Sequence, residues 1–487
     1  MPVPSAPSSL SVNKAQTERM EQAKYFALGL VSEKKGKVDE VPAAKPAKIN
    51  DPAWESIQKQ KAKSEKTFTL TELVDMALKN NPKTRQTWEN TRIARAEEKQ
   101  SESALYPKLT ISESMSREKQ RNFTGTLDDF HYGPSAQLTY LLLDFGGRSS
   151  RIETTFQKVL KANSLYDQSL QDLLLDVQTA YYNYYSAQAA LEAAELDVQN
   201  TKTDYDAAQQ KFDVGLVPQL EVLQAKSNYE NSLYNLESAR GALKTAKANL
   251  AQAIGVAADT NIDIVLPSKE LPTTINEDDV SRLIEESIRM RPDISAFRAE
   301  LKSKKAAASA AFSDLLPDLN LNLNAQEDKY KYYNSPGFKK DQNNVSGTVS
   351  VDWDVFDGFS NWYKKRQADY EVNAALDNLI QAELEASSDV WVKYYDFNTA
   401  VEKLKYSQAF FDTSTTSYDL ALASYKAGLK SILDLLQAQS SLSQARSRLI
   451  QSKQDVFIAL AQLAHSTGTP NIKIDSTKKS FGAKGDQ

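Results

Sequence analysis

The residue types that do chemistry are thinly placed in this chain. Cysteine is absent, which removes thiolate nucleophiles, disulfides and cysteine-ligated zinc. The two histidines, His131 and His465, sit far apart in sequence, one expected in a loop between strands and the other near a helix end. There is no phosphate-binding GxxxxGK[ST] loop, no dinucleotide fingerprint and no HExxH. Carboxylates are plentiful, at 64 Asp and Glu, but none is spaced as a recognisable acid–base pair. The sequence therefore predicts a protein that is not an enzyme, with no cofactor and no metal. A net charge of −5 and a pI near 5.5 give no basis for a nucleic-acid partner.

What the chain does carry is length and repetition. Glycine is scarce, 16 in 487 residues, under half the usual ~7%, and few glycines mean few tight turns. Pro82 pairs with Pro292 and Pro107 with Pro317, both 210 positions apart, while Asp144 and Asp357, Gly215 and Gly428, and Gly255 and Gly468 are each 213 apart. Landmarks that keep order and offset in this way mark a tandem duplication with a three-residue insertion. The expected division is an N-terminal extension over 1–67, a first repeat over 68–265, a linker over 266–276, a second repeat over 277–469 and a tail over 470–487. Each repeat reads as short helix, helix, two strands, very long helix, turn and long helix.

Leu70, Leu73, Val74, Ala77 and Leu78 have the spacing of an amphipathic helix. From Ser149 to Val214 there is neither proline nor glycine. One helix over that run spans roughly 100 Å at 1.5 Å per residue. Within it Val177, Tyr181, Tyr184, Ala187, Leu191, Ala194 and Val198 recur at three- and four-residue steps, the seam of a coiled coil.

Val345, Gly347, Val349, Val351, Trp353 and Val355 alternate with polar residues, as do Leu319, Leu321 and Leu323 with asparagines. A half-buried soluble sheet gives the same period of two. Eleven such residues also suffice to cross the apolar band of a bilayer when tilted, and no run of 18 apolar residues offers a transmembrane helix. Four strands per chain cannot close a barrel, since about eight is the practical minimum, and lipid does not tolerate open edges. Copies of the chain would have to pool strands: two copies give eight, three give twelve.

On these features the sequence resembles the TolC-like outer-membrane efflux factors over about Phe68 to Gly468. The resemblance rests on the duplicated order of elements and on "LLDFGGR" at Leu142–Arg148, "FDVGLVPQLEVLQA" at Phe212–Ala225 and "YKAGLKSILDLLQAQ" at Tyr425–Gln439. It implies a mixed, mainly α protomer in a homotrimer, with a shared twelve-stranded transmembrane barrel in outer-membrane lipid and a long coiled-coil α-helical barrel in the periplasm. It further implies an exit duct for tripartite efflux or type I secretion, passively fed by a periplasmic adaptor and an inner-membrane pump of resistance-nodulation, ABC or major-facilitator type. The resemblance makes Val214, Gly215, Leu216, Gly428 and Leu429 the adaptor-binding tip, although Ala427 stands where the second copy of the motif should have valine. It assigns a periplasmic gate to Glu221, Tyr425 and Lys430, read as an exposed latch. It places Asp434, four residues beyond Lys430 and expected on the same helical face, in a pore-lining acidic ring; Gln437 stands where some relatives carry a second ring.

An exported chain needs a signal, and MPVPSAPSSL lacks a basic stretch followed by an apolar core. The signal is therefore expected to have been removed. The alternative reading is a soluble coiled-coil scaffold without transport activity. It accounts for the missing signal but not for paired alternating strands at the same point of both repeats.

Overall fold

The computed structural model describes residues 67–122, 125–260, 262–265, 279–332 and 339–468. The chain divides into two units, Met1–Ser56 and Ile57–Gln487, and all described residues belong to the second. Apart from Thr67, the expected extension, the linker over 266–276 and the tail over 470–487 lie outside them.

The order is β1 (Thr67–Phe68), α1 (Leu70–Asn80), α2 (Pro82–Glu102), β2 (Lys108–Asn122), β3 (Gly125–Leu143), α3 (Gly147–Asp213), α4 (Gln219–Ala253) and β4 (Asp263–Ile264). The second repeat has α5 (Asp279–Met290), α6 (Pro292–Ser313), β5 (Asp318–Tyr332), β6 (Lys339–Asp352), α7 (Ser360–Lys426) and α8 (Ile432–Ser466). Predominantly helical and duplicated, this is the order read from the sequence. The two longest helices, α3 and α7, have 67 residues each.

Local chemistry sets the boundaries. Thr69 and Glu72 form a reciprocal capping box at α1. Asn81 ends α1 and starts α2, its side chain accepting from the Lys83 N–H at 2.8 Å with Pro82 in the first turn. The landmark aspartates also prove to be caps: Asp144 accepts from the Arg148 N–H, and Asp357 accepts from the Asn361 N–H at 2.7 Å. Each fixes the sharp exit from strand to long helix, where Phe145 and Phe359 take positive φ.

The core is duplicated residue by residue. Leu73 packs with Val177, Tyr181, Tyr184 and Leu250; Leu283 packs with Val390, Tyr394, Phe397 and Leu463. Large side chains buried this way stabilise the fold by about 1.5–3 kcal/mol each. Gly255 and Gly468 have φ of 76° and 69°, and a Cβ on either would lie 3.0 Å from the backbone of Asn81 or Arg291. The end of each return helix is thereby held against the start of α2 or α6. Along the distal part of α3 the buried positions are Ala193, Thr201, Asp204 and Ala208 rather than Leu191, Ala194 and Val198. Helices of both repeats pack on that stretch, and the buried stripe turns toward them.

The four long strands form an antiparallel sheet in the order β2-β3-β5-β6, so β3 and β5 join the two repeats. Register sets its two faces. One carries Leu109, Leu138, Leu323 and Gly347 in one row and Ile111, Ala136, Ala325 and Val345 in the next. The other carries Thr110, Gln137, Asn324 and Ser346, then Ser112, Ser135, Gln326 and Asn344. No helix covers the apolar face on the edge strands: Ile111 is 75% exposed and Val345 85%. The strands outrun the alternation at their far ends, since backbone pairing does not depend on side-chain polarity. At the near end β6 stops at Asp352, so Trp353 and Val355 follow the strand instead of lying in it. His131 lies within β3, not in a loop, with Nδ1 3.7 Å from Asp129.

Candidate functional site at the helix turns

The turns joining α3 to α4 and α7 to α8 are built alike. Gly215 and Gly428 take φ of 76° and 78°, and the Leu216 and Leu429 N–H groups donate back to the Lys211 and Ser424 carbonyls at 2.8 and 2.9 Å. These are left-handed C-terminal caps that need glycine. With the backbone reversed, the leucines have nothing to pack on: Leu216 is 73% exposed and Leu429 79%. Val214 is exposed beside them. Leu220 and Leu433, one helical turn on, are exposed as well. Sequence reasoning passed over this second pair, although the 213-residue offset relates them just as it relates Leu216 to Leu429.

Behind the turns the two repeats meet. Ala208 and Ala225 of the first repeat cluster with Tyr418, Tyr425, Ile432, Leu435 and Leu442 of the second. The structure brings Glu221 and Tyr425 together: the phenol donates to Glu221 Oε2 at 3.3 Å. The latch is not exposed as expected, because Tyr425 is only 1% accessible. Lys211 holds the same tyrosine, its Nζ donating to the Tyr425 carbonyl and lying 4.1 Å from the ring centroid. Burial, then the Glu221 charge and hydrogen bond, push the phenol up to about 12, so it remains a donor at physiological pH.

Lys430 is placed differently. It precedes the N-cap Ser431 and so lies in the turn, not on α8, and its ion pair is with Asp434 at 4.0 Å. Asp434 is itself the third residue of a capping box on Ser431, with Oδ2 accepting at 2.9 Å from the serine hydroxyl. Those bonds, then Lys430, hold its carboxyl below the usual range. Among the described residues, Glu221 and Lys430 form no ion pair.

A polar ladder missed from sequence ties α3 to the second repeat. At seven-residue steps, Asp197 binds Ser443 at 2.6 Å and Arg446, Asp204 binds the Tyr418 hydroxyl at 3.1 Å, and Lys211 binds Tyr425. The heptad spacing was the available signal; the partners lie more than 200 residues away. Asp204 is fully buried with Oδ2 unpartnered. Desolvation raises its carboxyl to about 7, against the smaller lowering effects of Tyr418 and Lys426. No group of residues able to hold a metal ion occurs among the described residues.

A chain with duplicated helical hairpins, a shared four-stranded sheet and apolar turn tips has the architecture of an outer-membrane efflux protein. The family profile of that description matches residues 73–256 and 283–469: the chain belongs to the outer membrane efflux protein family. It is 28% identical to protein CyaE of Bordetella pertussis over 68% of this chain and 70% of that one. It is 23% identical to outer membrane protein TolC of Escherichia coli K12 over 70% of each. Several further relatives are matched over little more than half of their length. The structure is similar to that of the outer-membrane channel OprN, with a TM-score of 0.71 at 21% identity, covering 89% of this chain and 98% of that one.

Proposed function

We propose that this chain is one subunit of an outer-membrane exit duct, conducting substrate passively from a periplasmic adaptor and an inner-membrane pump to the exterior. The observation that carries the proposal is the sheet. Its apolar face is uncovered and in register across four strands, and its edge strands β2 and β6 run in opposite directions. A second copy could therefore continue the sheet antiparallel, β6 to β2, until it closes. Closure satisfies every edge, as lipid requires, and the apolar face becomes the outside. Three copies, as the family implies, give twelve strands. No described helix is long and apolar enough to cross a membrane, a property that leaves a β-barrel untouched.

In this reading Val214, Gly215, Leu216, Gly428 and Leu429, with Leu220 and Leu433, form the tip that receives the adaptor. Glu221, Tyr425 and Lys430 form the periplasmic gate, with the Glu221–Tyr425 bond as its latch, and Asp434 lines the aperture, where a ring of carboxylates favours cations. The repeats at 68–265 and 277–469 are the two structural halves of the protomer. The test is the mass of the detergent-extracted protein before and after heating. A detergent-dependent species of three 54.3 kDa chains that falls apart on heating is expected. A detergent-independent soluble species would favour the coiled-coil scaffold instead.

A further inference from the structure

The apolar face of the sheet is short for its task. Its rows, Leu319 with Val351, Leu321 with Val349, Leu323 with Gly347 and Ala325 with Val345, span about 20 Å at ~3.4 Å per residue. The next row on the same face holds Glu113, Glu327 and Asn343. An outward apolar band is about 25 Å tall, and strand tilt reduces the available height further.

The missing height lies at the helix end of the sheet. After β6 come Trp353, Val355 and Phe356, all exposed, Phe356 by 74%. Phe356 packs edge-on against Phe359, Trp362 against Tyr363, and the Arg366 guanidinium lies 5.1 Å from the Trp362 ring and 5.9 Å from that of Tyr370. Phe359, Trp362, Tyr363 and Tyr370 are all exposed. Aromatic residues in this position suit the boundary between acyl chains and headgroups.

Three cations accompany them, Lys364, Lys365 and Arg366, in the first two turns of α7. They stand in the second turn of the helix, beyond a first turn that holds no acidic residue. Lys365 is paired with Asp369, but Lys364 reaches only the Asn361 side-chain oxygen at 3.1 Å and Arg366 only the Tyr370 hydroxyl at 3.1 Å. Among the described residues neither has a carboxylate partner. Intramolecular ion pairing therefore does not explain these two charges.

We infer that residues 353–370 form a collar that seats the protein on the anionic phospholipid headgroups of the bilayer leaflet nearest the helices, with Lys364 and Arg366 binding the headgroup phosphates. This rests on the strands spanning the bilayer, and the experiment separates the two claims. The full chain is incorporated into vesicles of phosphatidylcholine, with or without phosphatidylglycerol, and insertion is scored by protease protection of the strands. A basic residue near an anionic surface contributes about fivefold to partition. Lys364→Gln with Arg366→Gln should therefore reduce the preference for anionic vesicles about twenty-five-fold, while insertion into neutral vesicles is unchanged. High salt should abolish the wild-type preference. Lys364→Arg with Arg366→Lys keeps both charges and should keep the preference; Lys403→Gln, far along α7, should leave it unaltered. Insertion with equal preference in wild type and the neutralised variant would overturn the collar alone. Failure to insert into either vesicle would overturn the bilayer-spanning reading, and the collar with it.

Discussion

The latch is best probed by removing one oxygen. Tyr425→Phe deletes the donor to Glu221 and leaves the rest of the contact, because Lys211 binds the backbone carbonyl and the face of the ring. Hydrogen bonds to a charged group contribute about 1.5–3 kcal/mol. The bond here is 3.3 Å, longer than the 2.5–2.7 Å usual for a charge-assisted hydroxyl, so the lower figure applies. About 1.5 kcal/mol per protomer corresponds to roughly a tenfold shift from closed toward open. The assay is single-channel recording of the reconstituted protein in planar bilayers, scored as open probability. Since burial and Glu221 keep the phenol at about 12, wild-type closure should not weaken through tyrosine ionisation between neutral and mildly alkaline pH. Glu221→Gln, which keeps an acceptor but loses the charge, should fall between wild type and Tyr425→Phe. Unchanged open probability in Tyr425→Phe, with the variant correctly assembled, would refute the latch.

Two further outcomes follow from the same region. Asp204 has a raised folded pKa, about 7 against a usual 3.8, so its contribution to stability is fully present below about pH 4 and is lost as pH rises through 7. Asp204→Asn should therefore stabilise the protein at pH 8 by up to a few kcal/mol and do little near pH 4. Thermal unfolding of both proteins at the two pH values checks this, and an equal difference at both would contradict it. Leu216→Ser with Leu429→Ser removes exposed apolar surface that supports nothing inside the fold. Unfolding should shift by less than about 0.5 kcal/mol, while crosslinking to a periplasmic adaptor should drop about tenfold or more, the cost expected of losing interface anchors.

Much of the fold was legible because its signals are local or repeated. The alternation in Leu319–Leu323 and Val345–Val351, the glycine-free run of α3 and the caps at Gly215 and Gly428 each follow from a few neighbouring residues. The duplication then made each reading in one half a check on the other. What stayed hidden depends on contacts across the repeats. Tyr425 looked like an exposed helix residue because nothing in its own neighbourhood shows that α3 and α8 close over it. Nothing in the sequence singles out Asp197 and Asp204, because their partners, Arg446, Ser443 and Tyr418, lie more than 200 residues away. Lys430 seemed to share a helix with Asp434 until Ser431 proved to be the cap. Asp144 and Asp357 were visible as landmarks, but their work as caps needed the backbone turn at Phe145 and Phe359.

In the proposed barrel β6 of one copy pairs with β2 of the next. The chain contains no cysteine, so a pair introduced at Ile111→Cys with Val345→Cys, Val349→Cys or Val351→Cys in turn reports on that seam without background. Oxidation of the membrane-extracted protein should yield, at one register, a covalent ladder ending at three chains. A ladder ending at two, or no crosslink at any register, would contradict a twelve-stranded barrel shared by three protomers.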